Sequence, residues 1–105
     1  MSLTETYDFI TVERNDGIAA ITLARPEKRN ALSLGVMREL IAGLEALGND
    51  RSVRVAILRA LGPAFSAGHD LREMLRRDVV EYRETFDVCV RLMQTLAAIR
   101  QPVIA

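Results

Sequence analysis

A chain of 105 residues with half its residues apolar has the size and composition of one soluble globular domain. Its 14 basic and 14 acidic residues cancel, so the charge excess of a nucleic-acid-binding surface is missing. No apolar run approaches the length that spans a bilayer.

From the N-terminus, residues 1–6 lack both a basic segment and an apolar segment, so no secretory leader is expected and a cytoplasmic location follows. Phe9, Ile10 and Val12 begin a strand. Asn15-Asp16-Gly17 is a tight-turn signal, and residues 18–23 form the returning strand, so an antiparallel hairpin is predicted. Arg25-Pro26 ends it, because proline has no N–H for the strand ladder. Ser33 is placed to cap a helix that carries Val36, Met37, Leu40, Ile41, Leu44 and Leu47 at helical spacing. Gly48-Asn49-Asp50 stops that helix. Val53, Val55, Ile57 and Leu58 then form a β-branched run, expected to be a strand buried on both faces.

A loop of small residues follows, Pro63-Ala64-Phe65-Ser66-Ala67-Gly68-His69-Asp70-Leu71. Asp70 or a neighbour is placed to cap a short helix reaching about Arg76. A longer helix is expected over 79–99, with Phe86, Cys89, Val90, Met93 and Ala97 on its buried side. Gln101-Pro102 breaks it, and Val103-Ile104-Ala105 begins a buried strand. Cys89, the one cysteine, has no partner for an intrachain disulfide and is expected to be a buried thiol. The segment expected to cover the small-residue loop is not found in the sequence, so the chain is read as the N-terminal portion (1–105) of a larger domain.

Two strand-to-helix loops carry the chemistry. In the second, Ser66, Ala67 and Gly68 let a ligand approach the backbone closely. The first N–H groups of a following helix have no internal partner. An oxygen held by such groups is stabilised most when it bears negative charge, as in an enolate. A simple turn capped by Asp70 would have the same local sequence. In the first loop, Arg25, Lys28 and Arg29 lie within five residues and suit a phosphate-bearing ligand, or a solvated basic turn. His69 is the single histidine, and its backbone N–H is a better candidate than its imidazole. Phosphate-loop, dinucleotide-fingerprint, zinc-protease and paired-cysteine signatures are absent from the sequence, so no metal is expected.

Arg25-Pro26-Glu27-Lys28-Arg29-Asn30-Ala31-Leu32, then Val55-Ala56-Ile57-Leu58 with Phe65-Ser66-Ala67-Gly68-His69-Asp70-Leu71, together resemble the crotonase (enoyl-CoA hydratase/isomerase) superfamily. The resemblance extends from the hairpin to Pro102-Val103-Ile104-Ala105, and the helix bearing Phe86, Cys89 and Met93 is similar to the enoyl-CoA hydratase domain-containing branch. It implies an α/β fold, a spiral of repeated β-β-α turns, incomplete in this chain. It also implies an acyl-CoA thioester substrate, no separate cofactor, no nucleic-acid or membrane partner, and assembly as a homotrimer or hexamer. By the same resemblance the backbone N–H of His69 is one of two oxyanion-hole donors. Lys28, Arg29, Ala67, Gly68, His69, Asp70 and Leu71 would contact the CoA ester. Histidine at position 69, where alanine is commoner in the family, leaves the subclass open. The second donor and the acid/base carboxylates of that family match no residue of this chain. An enzyme of hydratase or isomerase type is the leading expectation, with inactivity of the 105-residue chain alone. A non-catalytic CoA-ester-binding subunit is the alternative.

Overall fold

The computed structural model describes residues 2–24, 32–61 and 79–105. They form five strands and two helices: β1 (Ser2–Thr6), β2 (Ile10–Asn15), β3 (Ile18–Leu23), α1 (Leu34–Gly48), β4 (Val55–Ala60), α2 (Val79–Ala98) and β5 (Val103–Ile104). The strands lie in one sheet in sequence order. β1, β2 and β3 pair antiparallel, whereas β3–β4 and β4–β5 pair parallel. A parallel neighbour needs a crossover connection, and α1 and α2 fall in the two crossovers.

The β2–β3 hairpin forms as its turn residues demand. Asp16 and Gly17 both adopt positive φ, 52° and 81°, the conformation of a two-residue turn that follows the strand twist. β1 extends the sheet beyond the expected hairpin, with Leu3 left 57% exposed. Its five residues hold through the edge of β2, from Ser2 opposite Asn15 to Thr6 opposite Thr11.

One sheet face carries Ile10, Val12, Ala19, Ile21, Leu23 and Ala56, packed in one core with Leu34, Val36, Met37, Leu40, Ile41, Leu44 and Leu47 of α1. Ser33 caps α1 as expected, its Oγ accepting from the Val36 N–H at 3.2 Å. Asn49 closes the other end, its N–H donating to Glu45 O at 3.2 Å. The opposite sheet face is mixed: Glu13 and Arg59 form an ion pair there at 3.8 Å, while Val55 and Ile57 are half-buried. β4 is therefore not buried on both faces as its apolar run suggested.

α2 packs chiefly against α1. Its buried residues are Thr85, Leu92 and Thr95, with Val88, Cys89, Leu96 and Ile99 partly buried at the core. The expected burial of Phe86, Val90, Met93 and Ala97 is overturned: all four are exposed, and Cys89 is half-buried rather than buried. The threonines win the inner face because each satisfies its own hydroxyl on the preceding helical turn. Thr85 Oγ1 donates to Glu81 O at 3.1 Å and Thr95 Oγ1 to Arg91 O at 2.8 Å, which leaves their methyl groups to pack. α2 ends by Ala98, and in β5 Val103 is half-buried while Ile104 is exposed.

Candidate functional site at the carboxyl ends of the parallel strands

β3 and β4 are register partners along their whole length, from Ile18 opposite Val55 to Leu23 opposite Ala60. The Leu61 N–H continues the ladder, donating to Leu23 O at 2.9 Å. Both chemistry-bearing loops therefore start from adjacent strands at one end of the sheet, residues 25–31 from β3 and residues 62–78 from β4. β5 runs in the same direction, with Ile104 opposite Ile57. Adjacent parallel strands whose loops leave together form the crevice where open α/β sheets bind ligands.

Lys28, Arg29, Ala67, Gly68, His69, Asp70 and Leu71 lie outside the described residues, as does the short helix expected to reach Arg76. What the described residues supply is the rim that sets where these loops begin and end. Ala24 N–H donates to Phe9 O at 2.8 Å, and Phe9 N–H donates to Glu39 Oε1 at 2.8 Å. The exit of the first loop's leading strand is thus tied to the first turns of α1. Arg38 of α1 pairs with Glu84 of α2, joining the N-terminal halves of the two helices. Thr22, one residue before the end of β3, is buried with its Oγ1 unpartnered. Its side chain shares the mixed sheet face with its register partners Thr11 and Arg59. Nothing in its apolar strand context marked Thr22 as a polar group at this end; only the register exposes it.

The opposite end of the sheet is a knot of polar structure. Gln101 is 3% exposed, and its Nε2 donates to Leu47 O, Val53 O and Asp50 O at 2.7, 3.1 and 3.3 Å. Arg100 donates to the Asp50 and Val53 carbonyls at 3.1 and 3.2 Å. Arg14 pairs with Glu5 and, at 3.2 Å, with Asp50. The Asp50 carboxyl is held below the usual aspartate range, first by the Ser52 hydroxyl at 2.6 Å and the Ser52 N–H at 3.0 Å, then by Arg14 and Arg100. Two clefts lie at this end, about 380 Å³ beside Gly48, Thr95 and Arg100 and about 290 Å³ beside Arg14, Gly17 and Asp50. Arg14 and Asp50 pair with one another there and Arg100 is held by main-chain carbonyls, so this end fastens the fold and the other end offers the loops. No cluster of three metal-ligating side chains occurs among the described residues. No helix among them is long and apolar enough to cross a membrane.

The family model of enoyl-CoA hydratase/isomerase matches residues 13–105, which includes every strand of the parallel seam and both loops. The chain belongs to the enoyl-CoA hydratase/isomerase (crotonase) family. It is 38% identical over 91 residues to human mitochondrial enoyl-CoA hydratase domain-containing protein 3, covering 86% of this chain and 30% of that protein. It is 48% identical over 67 residues to hydroxycinnamoyl-CoA hydratase-lyase of Pseudomonas fluorescens, covering 64% of this chain and 24% of that one. The crystal structure of enoyl-CoA hydratase from Mycobacterium smegmatis superposes with a TM-score of 0.85 at 36% identity, over 92% of this chain and 38% of that chain. The crotonase-type α/β architecture is therefore present over nearly the whole chain and incomplete relative to that structure. This crotonase-family chain spans between about a quarter and two-fifths of the length of these relatives.

Proposed function

We propose that this segment forms the CoA-ester-holding half of a crotonase-type hydratase or isomerase site, in which a thioester enolate is stabilised by backbone N–H groups. The observation that carries the reading is the pairing of Leu23 with Ala60, closed by the Leu61 N–H on Leu23 O, which starts both loops side by side. In this reading the backbone N–H of His69 donates to the thioester oxygen. Gly68 admits that oxygen against the backbone, and Ala67, Asp70 and Leu71 flank the CoA ester. Lys28 and Arg29 reach its phosphates, the ammonium as a point charge and the guanidinium as a planar fork. Charge on the thioester oxygen grows as the enolate forms, so the donor acts on the transition state more than on the bound substrate. The reaction needs no cofactor beyond the CoA of the substrate, and its setting is a cytoplasmic homotrimer or hexamer.

The test is hydration of a 2-enoyl-CoA thioester, followed by loss of its conjugated absorbance, for the protein and its Gly68→Val variant. The reading expects thioester binding by the chain, and any turnover of the wild-type protein to fall about a hundredfold or more in the variant, the scale of losing one oxyanion donor. Thioester binding with no turnover by a protein that carries the whole family domain would favour the non-catalytic subunit. Binding that makes no distinction between CoA thioesters and inorganic phosphate would overturn the site.

A further inference from the structure

Residues 25–31 are bounded by Ala24 and Leu32, and the stems on both sides meet one residue, Phe9, which is partly buried against the core. The entry stem is held through the main chain. The Ala24 N–H donates to Phe9 O at 2.8 Å, one step past Ile10 opposite Leu23, the end of the β2–β3 register. The exit stem is held through the ring. Gly35, in the first turn of α1, faces the ring so closely that a Cβ there would lie 2.7 Å from Phe9 Cε2, inside contact distance. Phe9 lies beyond the β1–β2 ladder, whose last pair is Thr6 opposite Thr11. Its N–H is taken instead by Glu39 Oε1 at 2.8 Å. Gly35 and Glu39 are four residues apart, so one face of α1 presents both the seat for the ring and the acceptor for the N–H.

We propose that Glu39 is a positioning residue for the CoA phosphates. By holding Phe9 it holds both stems, and so sets where the segment carrying Lys28 and Arg29 leaves and rejoins the fold. The inference rests on the acyl-CoA reading of those two cations and adds to it a side chain that acts through Phe9 rather than on the ligand. A segment with both ends fixed loses less conformational freedom on binding than one whose ends wander. A purely structural Glu39 would affect every ligand alike, whereas a positioning Glu39 affects the ligand that carries the phosphates.

The test compares two probes bound to the protein at its natural full length. One is a 2-enoyl-CoA thioester; the other is the same acyl thioester of pantetheine, which lacks the nucleotide and all the phosphates. The wild-type protein should prefer the CoA thioester. Glu39→Ala should weaken CoA-thioester binding about tenfold, the scale of one lost hydrogen bond, and leave the pantetheine thioester within about twofold. In turnover the loss should fall on KM for the CoA thioester and not on kcat. Glu39→Gln keeps an oxygen acceptor at the same reach and should restore the preference. Gly35→Ala, which must displace the Phe9 ring, should lower the preference as Glu39→Ala does, so the outcome does not hang on the folding of one variant. Both probes see the same folded fraction, so lost stability weakens both and does not imitate the pattern. Equal weakening of the two probes, a preference unchanged in Glu39→Ala and Gly35→Ala, or a Glu39→Gln variant as weak as Glu39→Ala would each overturn the role of Glu39 and leave the acyl-CoA reading standing. A wild-type protein with no preference for the CoA thioester would remove the phosphate role of residues 25–31, and this inference with it.

Discussion

α1 and α2 are both amphipathic, yet they meet the fold in different ways. α1 buries Leu34, Val36, Met37, Leu40, Ile41, Leu44 and Leu47 against the sheet and α2, and its apolar stripe in the sequence is its buried stripe in space. α2 buries Thr85, Leu92 and Thr95 and turns Phe86, Val90 and Met93 outward. Apolar periodicity locates a stripe on a helix. It does not say whether the stripe is turned to the core or away from it.

That contrast is open to direct attack. Leu44 is 1% exposed at the centre of the α1 face, so Leu44→Ala should cost about 3 kcal/mol in urea denaturation. Met93→Ala, the same kind of truncation on the exposed side of α2, should change stability by no more than about 0.5 kcal/mol. Equal costs at the two positions would erase the distinction. Gln101→Leu keeps the side-chain bulk but removes the donor shared by the Leu47, Val53 and Asp50 carbonyls. It should cost about 2 kcal/mol. It should also speed hydrogen exchange at Ala56, whose N–H donates to Pro102 O at 3.0 Å where β5 joins the sheet. Ser33→Ala removes the cap of α1 and should cost about 1 kcal/mol, less than either interior change.

Much of this was legible in the residues, and what was not has physical causes. The hairpin followed from Asp16-Gly17, because positive φ at both positions is a local requirement of the two-residue turn. The start of α1 followed from Ser33 for an equally local reason. β1 left no signal, since Leu3 is its lone large apolar residue and its stability comes from pairing with β2. The inner face of α2 was hidden because threonine is polar by composition but can bury itself by bonding back to its own helix. At the candidate site, the loop residues were recognisable by type, whereas their common origin depends on the Leu23–Ala60 register, a long-range pairing that no local pattern specifies.

The smallest expected effect comes from pH at the polar end. The Asp50 carboxyl is lowered in the folded chain, first by Ser52 and then by Arg14 and Arg100. Its contribution is present above the unfolded aspartate pKa of about 3.9 and is lost as pH falls through the lower folded value. Asp50→Asn should therefore flatten the acid limb of the stability curve below about pH 4 and leave its neutral-to-alkaline shape unchanged. A variant curve that runs parallel to the wild type through that window would remove Asp50 from the acid response.

The most direct test of the central claim is a titration of the nitrogen-15-labelled chain with a CoA thioester, read at every backbone amide. The acyl-CoA reading requires that residues 25–31 and 66–71, with the His69 amide among the largest, shift saturably, while Gly48, Asp50, Ser52 and Gln101 at the other end stay in place. Shifts centred on that other end, or the same shifts produced by inorganic phosphate alone, would contradict it.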